Sequence, residues 1–118
     1  MAKVSLPVSY YNAMLSIKDA LSTIRNEFYE VRVFGSCVRS SATAVSDIDI
    51  LILTEEKLTD RVKRERIRER AAAAAEPFGV EVDVVFYSID SYQKDSSEFT
   101  IRLRKESKGL LKGEKNGL

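Results

Sequence analysis

Residues 48–53, IDILIL, are branched aliphatic or leucine at every position except Asp49. A strand of that kind is apolar on both faces, which suits a central place in a sheet that is covered on both sides. Upstream, Tyr10, Met14, Ile17, Leu21, Ile24 and Phe28 recur at alternating spacings of four and three. That period predicts a helix over residues 7–27, with Pro7 in the first turn, where its missing amide hydrogen would have had no partner. Residues 31–34 then read as a short strand stopped by Gly35. Residues 36–46 carry five serines and threonines and no proline, which allows a short helix opening at Ser36 and then a turn.

Beyond the central strand, Thr59 or Asp60 can cap a helix that carries the arginines and glutamates of residues 61–70 and the alanine run 71–75. Alanine is the best helix former and lets a helix approach a sheet closely, so the run is read as packing. The charged turns read as a solvated face laced with pairs such as Arg61 with Glu65 and Glu65 with Arg68. Pro77 and Gly79 end this helix. Residues 80–87 alternate, with Val80, Val82, Val84 and Phe86 on one face and Glu81, Asp83, Val85 and Tyr87 on the other. Residues 88–108 have a helical tendency anchored by Ile89, Tyr92, Phe99 and Leu103. Gly109 ends it, Leu110 and Leu111 add a short strand or a docking contact, and residues 112–118 read as a frayed tail.

Length and composition exclude several classes of function. A chain of 118 residues that is 44% hydrophobic makes one domain, residues 1–118, able to bury about two-thirds of its unfolded surface. Nineteen lysines and arginines against 18 aspartates and glutamates leave a net charge of +1, so there is no global attraction to nucleic acid or to an anionic membrane. The single cysteine, Cys37, has no partner for an intrachain disulfide and reads as a small packing residue. With no signal-peptide pattern and no apolar stretch long enough to cross a bilayer, a cytoplasmic location is expected. The absence of histidine removes Ser-His-Asp triads, Cys-His pairs and the usual zinc sites. Aspartate remains, the ligand type suited to magnesium.

Asp47 and Asp49 stand two apart at the mouth of the central strand, so both carboxylates point to one side while Ile48 points to the other. Two adjacent carboxylates repel each other, and a magnesium ion bound to substrate phosphates offsets that repulsion. Gly35 and Ser36 end the preceding strand, where backbone amides and a hydroxyl can meet a phosphate and glycine permits close approach. Together these residues make a device for holding a metal-bound triphosphate. Asp83 adds an acid that would be costly to bury alone among valines.

Gly35-Ser36, then Ser46-Asp47-Ile48-Asp49 starting eleven residues after Gly35, and Asp83 in VEVDVVFY resemble the DNA polymerase beta-like nucleotidyltransferase superfamily, in particular its minimal nucleotidyltransferases. The resemblance covers nearly the whole chain. It implies an α/β (α+β) fold: a small mixed sheet of three strands, or four with the last segment, flanked by about four helices. It implies transfer of a nucleoside monophosphate, foremost AMP from ATP, to a hydroxyl with release of pyrophosphate. Two magnesium ions, or manganese in their place, would be held by Asp47, Asp49 and Asp83, which are also the catalytic residues. Gly35 and Ser36 would hold the β and γ phosphates, with Arg39 as a further phosphate contact.

In that family many minimal members act with a small helical partner, a toxin with the higher eukaryotes and prokaryotes nucleotide-binding (HEPN) domain. The resemblance therefore implies an antitoxin that modifies a tyrosine of such a partner. Two departures from the family pattern stand out: Ser40 replaces a second glycine, and Thr43 stands where a basic residue is common. They leave open a non-enzymatic antitoxin that simply covers its partner. A stand-alone transferase acting on a small molecule or an RNA end, with its pocket completed by a homodimer, is also open.

Overall fold

The computed structural model describes residues 8–35 and 47–113. The elements run α1 (Val8–Ser22), β1 (Glu30–Phe34), β2 (Ile48–Thr54), α2 (Arg61–Ala75), β3 (Val82–Ser88), α3 (Ile89–Lys94), α4 (Glu98–Glu106) and β4 (Lys108–Lys112), with 3-10 turns at Arg25–Glu27 and Glu76–Phe78. The strands form one mixed four-stranded sheet in the order β3-β2-β1-β4. β2 lies between β3, its parallel neighbour, and β1, its antiparallel one, while β4 pairs antiparallel with β1. Its apolar run is buried on both faces, as its composition requires: Ile48, Ile50, Leu51, Ile52 and Leu53 are all in the core.

The two faces are covered by different helices. Ile48, Ile50 and Ile52 join Val31, Val33 and Val84 against Tyr10, Ala13, Ile17 and Leu21 of α1 and Ile67, Ala71 and Ala75 of α2. The small residues at positions 71 and 75 let α2 lie close to this layer, which is the packing role expected of the alanine run. On the other face Leu51 and Leu53 meet Leu103 of α4, with Val85, Tyr87, Ile89 and Tyr92 around them. Alternation in β3 therefore divides its residues between two cores, and the predicted faces are those observed.

Several boundaries differ from the sequence pattern. α1 ends at Ser22, five residues before the predicted end, because the hydroxyls of Ser22 and Thr23 donate to the carbonyls of Asp19 and Ala20. Ile24 and Phe28 keep their buried positions through the 3-10 turn instead. Asp60, not Thr59, caps α2, accepting from the amides of Val62 and Lys63 at 2.9 and 3.2 Å. Of the pairs expected on the charged face, Arg68–Glu65 is present at 2.7 Å. Arg66 and Arg70 instead reach Glu27 and Thr23 at 2.9 Å, tying α2 to the turn after α1. The segment after β3 is two helices, and the second ends at Glu106. Gly109 lies inside β4, where a Cβ would stand 2.9 Å from the Glu30 carboxylate. Lys112, expected to begin a frayed tail, instead closes β4 opposite Glu30, and the Gly113 amide donates to the Tyr29 carbonyl at 2.7 Å. The predicted start at Pro7, the short helix expected from Ser36 and the tail beyond Gly113 lie outside the described residues.

A polar network closes the second face. Arg32 donates to Glu30 Oε2, Ser107 Oγ and the Ser107 carbonyl, each at 2.8 Å. Tyr92 Oη lies 3.1 Å from the same Ser107 hydroxyl. Thr100, fully buried on α4, shares its hydroxyl with Tyr87 and Asp95 at 3.0 and 3.2 Å. These bonds anchor α3 and α4 over the sheet, because buried polar groups are tolerable only when paired.

Candidate active site

The sheet topology gathers its chemistry at one end. β2 and β3 run in parallel, so their amino ends coincide, and antiparallel β1 brings its carboxyl end to the same place. In the resulting register Asp49 is opposite Asp83 on one side and Phe34 on the other. Neighbours in register share a face, so Asp83, Asp49 and Phe34 form one row on the face that α4 partly covers. Asp47 is one residue before β2 and exposed, while Ile48 between the two acids is fully buried on the opposite face. Ile48 and Asp49 thus fall on opposite faces of β2, as the alternation predicts.

Gly35 follows Phe34 at φ +81°, and its Cα packs against the Asp49 side chain. Asp49 Oδ2 occupies the space that a Cβ at position 35 would need, and its Cγ is 3.2 Å from that point. Glycine is thus demanded here both by the left-handed backbone and by the carboxylate beside it. This contact joins the expected phosphate turn to the expected acid pair.

Asp83 is exposed, so the desolvation cost foreseen for a lone acid among valines does not arise. It lies on an edge strand, beside a shallow depression lined also by Arg68, Glu69 and Ala72 of α2. Ser36 and Arg39, together with Ser40 and Thr43, lie outside the described residues. Among the described residues no three histidine, cysteine, aspartate or glutamate side chains are gathered into a ready metal-ligand set. The donor chemistry nevertheless fits a hard divalent cation: carboxylates at adjoining register positions supply some oxygens, and magnesium ordinarily takes others from substrate phosphates and water.

The sequence pattern missed one component. Phe34, Gly35, Phe99, Arg102, Leu103 and Glu106 line a cavity of about 130 Å³ beside the acid row. Phe99 was expected to anchor its helix, yet it is 47% exposed and meets Phe34 edge to face, with ring centroids 6.0 Å apart. Its place at the start of α4, one turn before Leu103, was the only signal available.

The profile of the nucleotidyltransferase domain family matches residues 15–106. No curated protein matches the chain. Among solved structures, a crystal structure of a toxin–antitoxin with AMP-PNP is similar at a TM-score of 0.62 and 21% identity, over 87% of this chain and 76% of that one. A candidate minimal nucleotidyltransferase is similar at a TM-score of 0.58 and 26% identity, over 80% of this chain and 88% of that one. The tri-AMPylated HEPN toxin of Shewanella oneidensis in complex with MNT antitoxin gives a TM-score of 0.52 and 19% identity, over 88% and 76%.

Proposed function

The chain belongs to the nucleotidyltransferase domain family, and on that premise we propose that it transfers AMP from ATP, with magnesium, to a tyrosine hydroxyl of a HEPN-type toxin and so acts as its antitoxin. The observation that carries the reading is the contact of Gly35 with Asp49, with Asp83 next to Asp49 in register. It brings Gly35, Asp49 and Asp83 to one end of one sheet, which supports reading them as part of a phosphate turn, a metal-binding acid pair and an acceptor-side acid. The likeness in fold to complexes holding AMP-PNP and an AMPylated toxin supports the choice of nucleotide and partner.

In this reading the amides and hydroxyl of Gly35 and Ser36 hold the β and γ phosphates, aided by Arg39. Asp47 and Asp49 would hold the metal with those phosphates, and Asp83 would complete the acceptor side. Bound magnesium supplies charge neutralisation of the triphosphate and stabilises attacking and leaving oxygens in an in-line displacement. Asp83, exposed on its edge strand, orients the incoming hydroxyl and receives its proton. The tyrosine oxygen forms its bond to the α phosphorus as the bond to pyrophosphate breaks.

Incubation of the chain with a HEPN-domain toxin, magnesium and ATP labelled at the α phosphate tests this directly. Label should appear on the toxin, and Asp49→Asn should abolish it. Failure to transfer from any of the four nucleoside triphosphates would defeat the proposal. Ser40 favours a second reading, neutralisation by binding alone. If the Asp47→Asn/Asp49→Asn double variant still protects cells from the toxin, that second reading holds.

A further inference from the structure

The cavity between Phe34 and α4 adjoins the acid row but lies outside it. Its two aromatic walls stand at 81° to each other, and Leu103 behind them is buried. At about 130 Å³ it is smaller than the roughly 300–1,000 Å³ usual for a whole small-molecule ligand. That space suits one ring system whose remaining parts lie elsewhere. Arg102 lines it too, and a guanidinium both stacks on planar heterocycles and donates to their ring nitrogens and carbonyls.

Position decides between a nucleobase and the acceptor's ring. Gly35 belongs both to this cavity and to the Asp49 contact, so the cavity lies within one nucleotide's length of β and γ phosphates held at Gly35. Asp83, on the acceptor side, is two strands from Phe34, about 10 Å across the sheet. We infer that the cavity is the nucleobase subsite, with Phe99 as the stacking surface and Arg102 at the base edge. The inference rests on the reading of the site as a nucleotide site.

The full chain contains no tryptophan, so Phe99→Trp makes a single fluorescent reporter. With magnesium, calorimetry should show AMP-PNP binding more tightly than inorganic tripolyphosphate. Phe99→Ala should weaken AMP-PNP binding roughly tenfold while leaving tripolyphosphate unchanged, as expected when one base–aromatic stack is removed. Phe99→Trp should retain AMP-PNP affinity and report AMP-PNP, not tripolyphosphate, by a change in emission. Equal affinity of the parent for both ligands, or a Phe99→Ala variant that keeps full AMP-PNP affinity, overturns the subsite while the phosphate site stands. If that variant instead loses only its toxin complex, the aromatic pair is a partner contact and the inference fails. A parent that binds neither ligand overturns the nucleotide reading and the subsite together.

Discussion

The carboxylate of Asp49 fills the space beside Gly35 that a side chain there would need. Gly35→Ala therefore meets two penalties, a left-handed backbone at φ +81° and a collision with Asp49. The backbone term alone is about 1–2 kcal/mol, and relief of the collision must move the acid. Thermal unfolding should show a lower midpoint and the transfer assay a loss of activity. A variant that melts and transfers like the parent would contradict the proposed pairing of turn and acid.

Asp49 and Asp83 are neighbours in register but should separate in function. Asp49→Ala should weaken magnesium-dependent ATP binding, as should Asp47→Ala. Asp83→Asn should spare ATP binding and remove transfer by about a hundredfold or more, the range of a lost acid–base group. Because Asp83 is exposed, its replacement should change stability by no more than about 0.5 kcal/mol. Calorimetry with and without magnesium reads the first effect, and labelled transfer the second. Equal ATP affinity with and without metal would remove the metal assignment.

Glu30 and Arg32 pair at 2.8 Å with side chains only 9% and 21% exposed. Arg32→Met leaves the mostly buried Glu30 charge with only the exposed Lys112 ammonium, 3.9 Å away, and unties Ser107 at the end of α4, so a loss of about 3 kcal/mol is expected in denaturant unfolding. The second change Glu30→Gln, made in that background, should recover part of it, because the poorly compensated charge is gone. A double variant less stable than Arg32→Met alone would show that Lys112 compensates Glu30 sufficiently by itself.

Asp95 has its carboxyl held below the ordinary value of 3.8, first by the Ser97 amide and then by the Thr100 hydroxyl, against an opposing effect of desolvation. A depressed value in the folded state means the ionised form is the one the fold prefers, so its contribution is present above about pH 4 and fades as pH falls through the folded value. The parent should melt above Asp95→Asn at neutral pH, and the gap should narrow below pH 3.8. A gap that is constant from neutral to strongly acidic pH would assign the effect to side-chain shape instead of charge.

Periodicity over a few residues was sufficient for the α1 stripe, the buried central strand, the alternation in β3, a cap at Thr59 or Asp60 and the opposite placement of Ile48 and Asp49. Each depends on neighbours within a turn or a pleat, so local spacing carries it. The family was legible for the same reason, since Gly35, Asp47 and Asp49 mark a strand end and a strand start that are close in sequence. Where α1 stops was less legible, because Ser22 and Thr23 satisfy its last carbonyls through side chains that a hydrophobic period does not weigh.

Tertiary structure decided what depends on register between distant strands. That Asp83 falls opposite Asp49, and Phe34 on its other side, follows from parallel and antiparallel pairings made across many residues. β4 joining β1 at Gly109, the Arg32–Ser107 anchor and the Phe34–Phe99 corner likewise join segments far apart in sequence. Such contacts are selected by closure of the whole sheet and by which buried polar groups find partners. One residue of slip in a strand would put Asp83 on the other face, and nothing within the strand's own sequence states its register against β2.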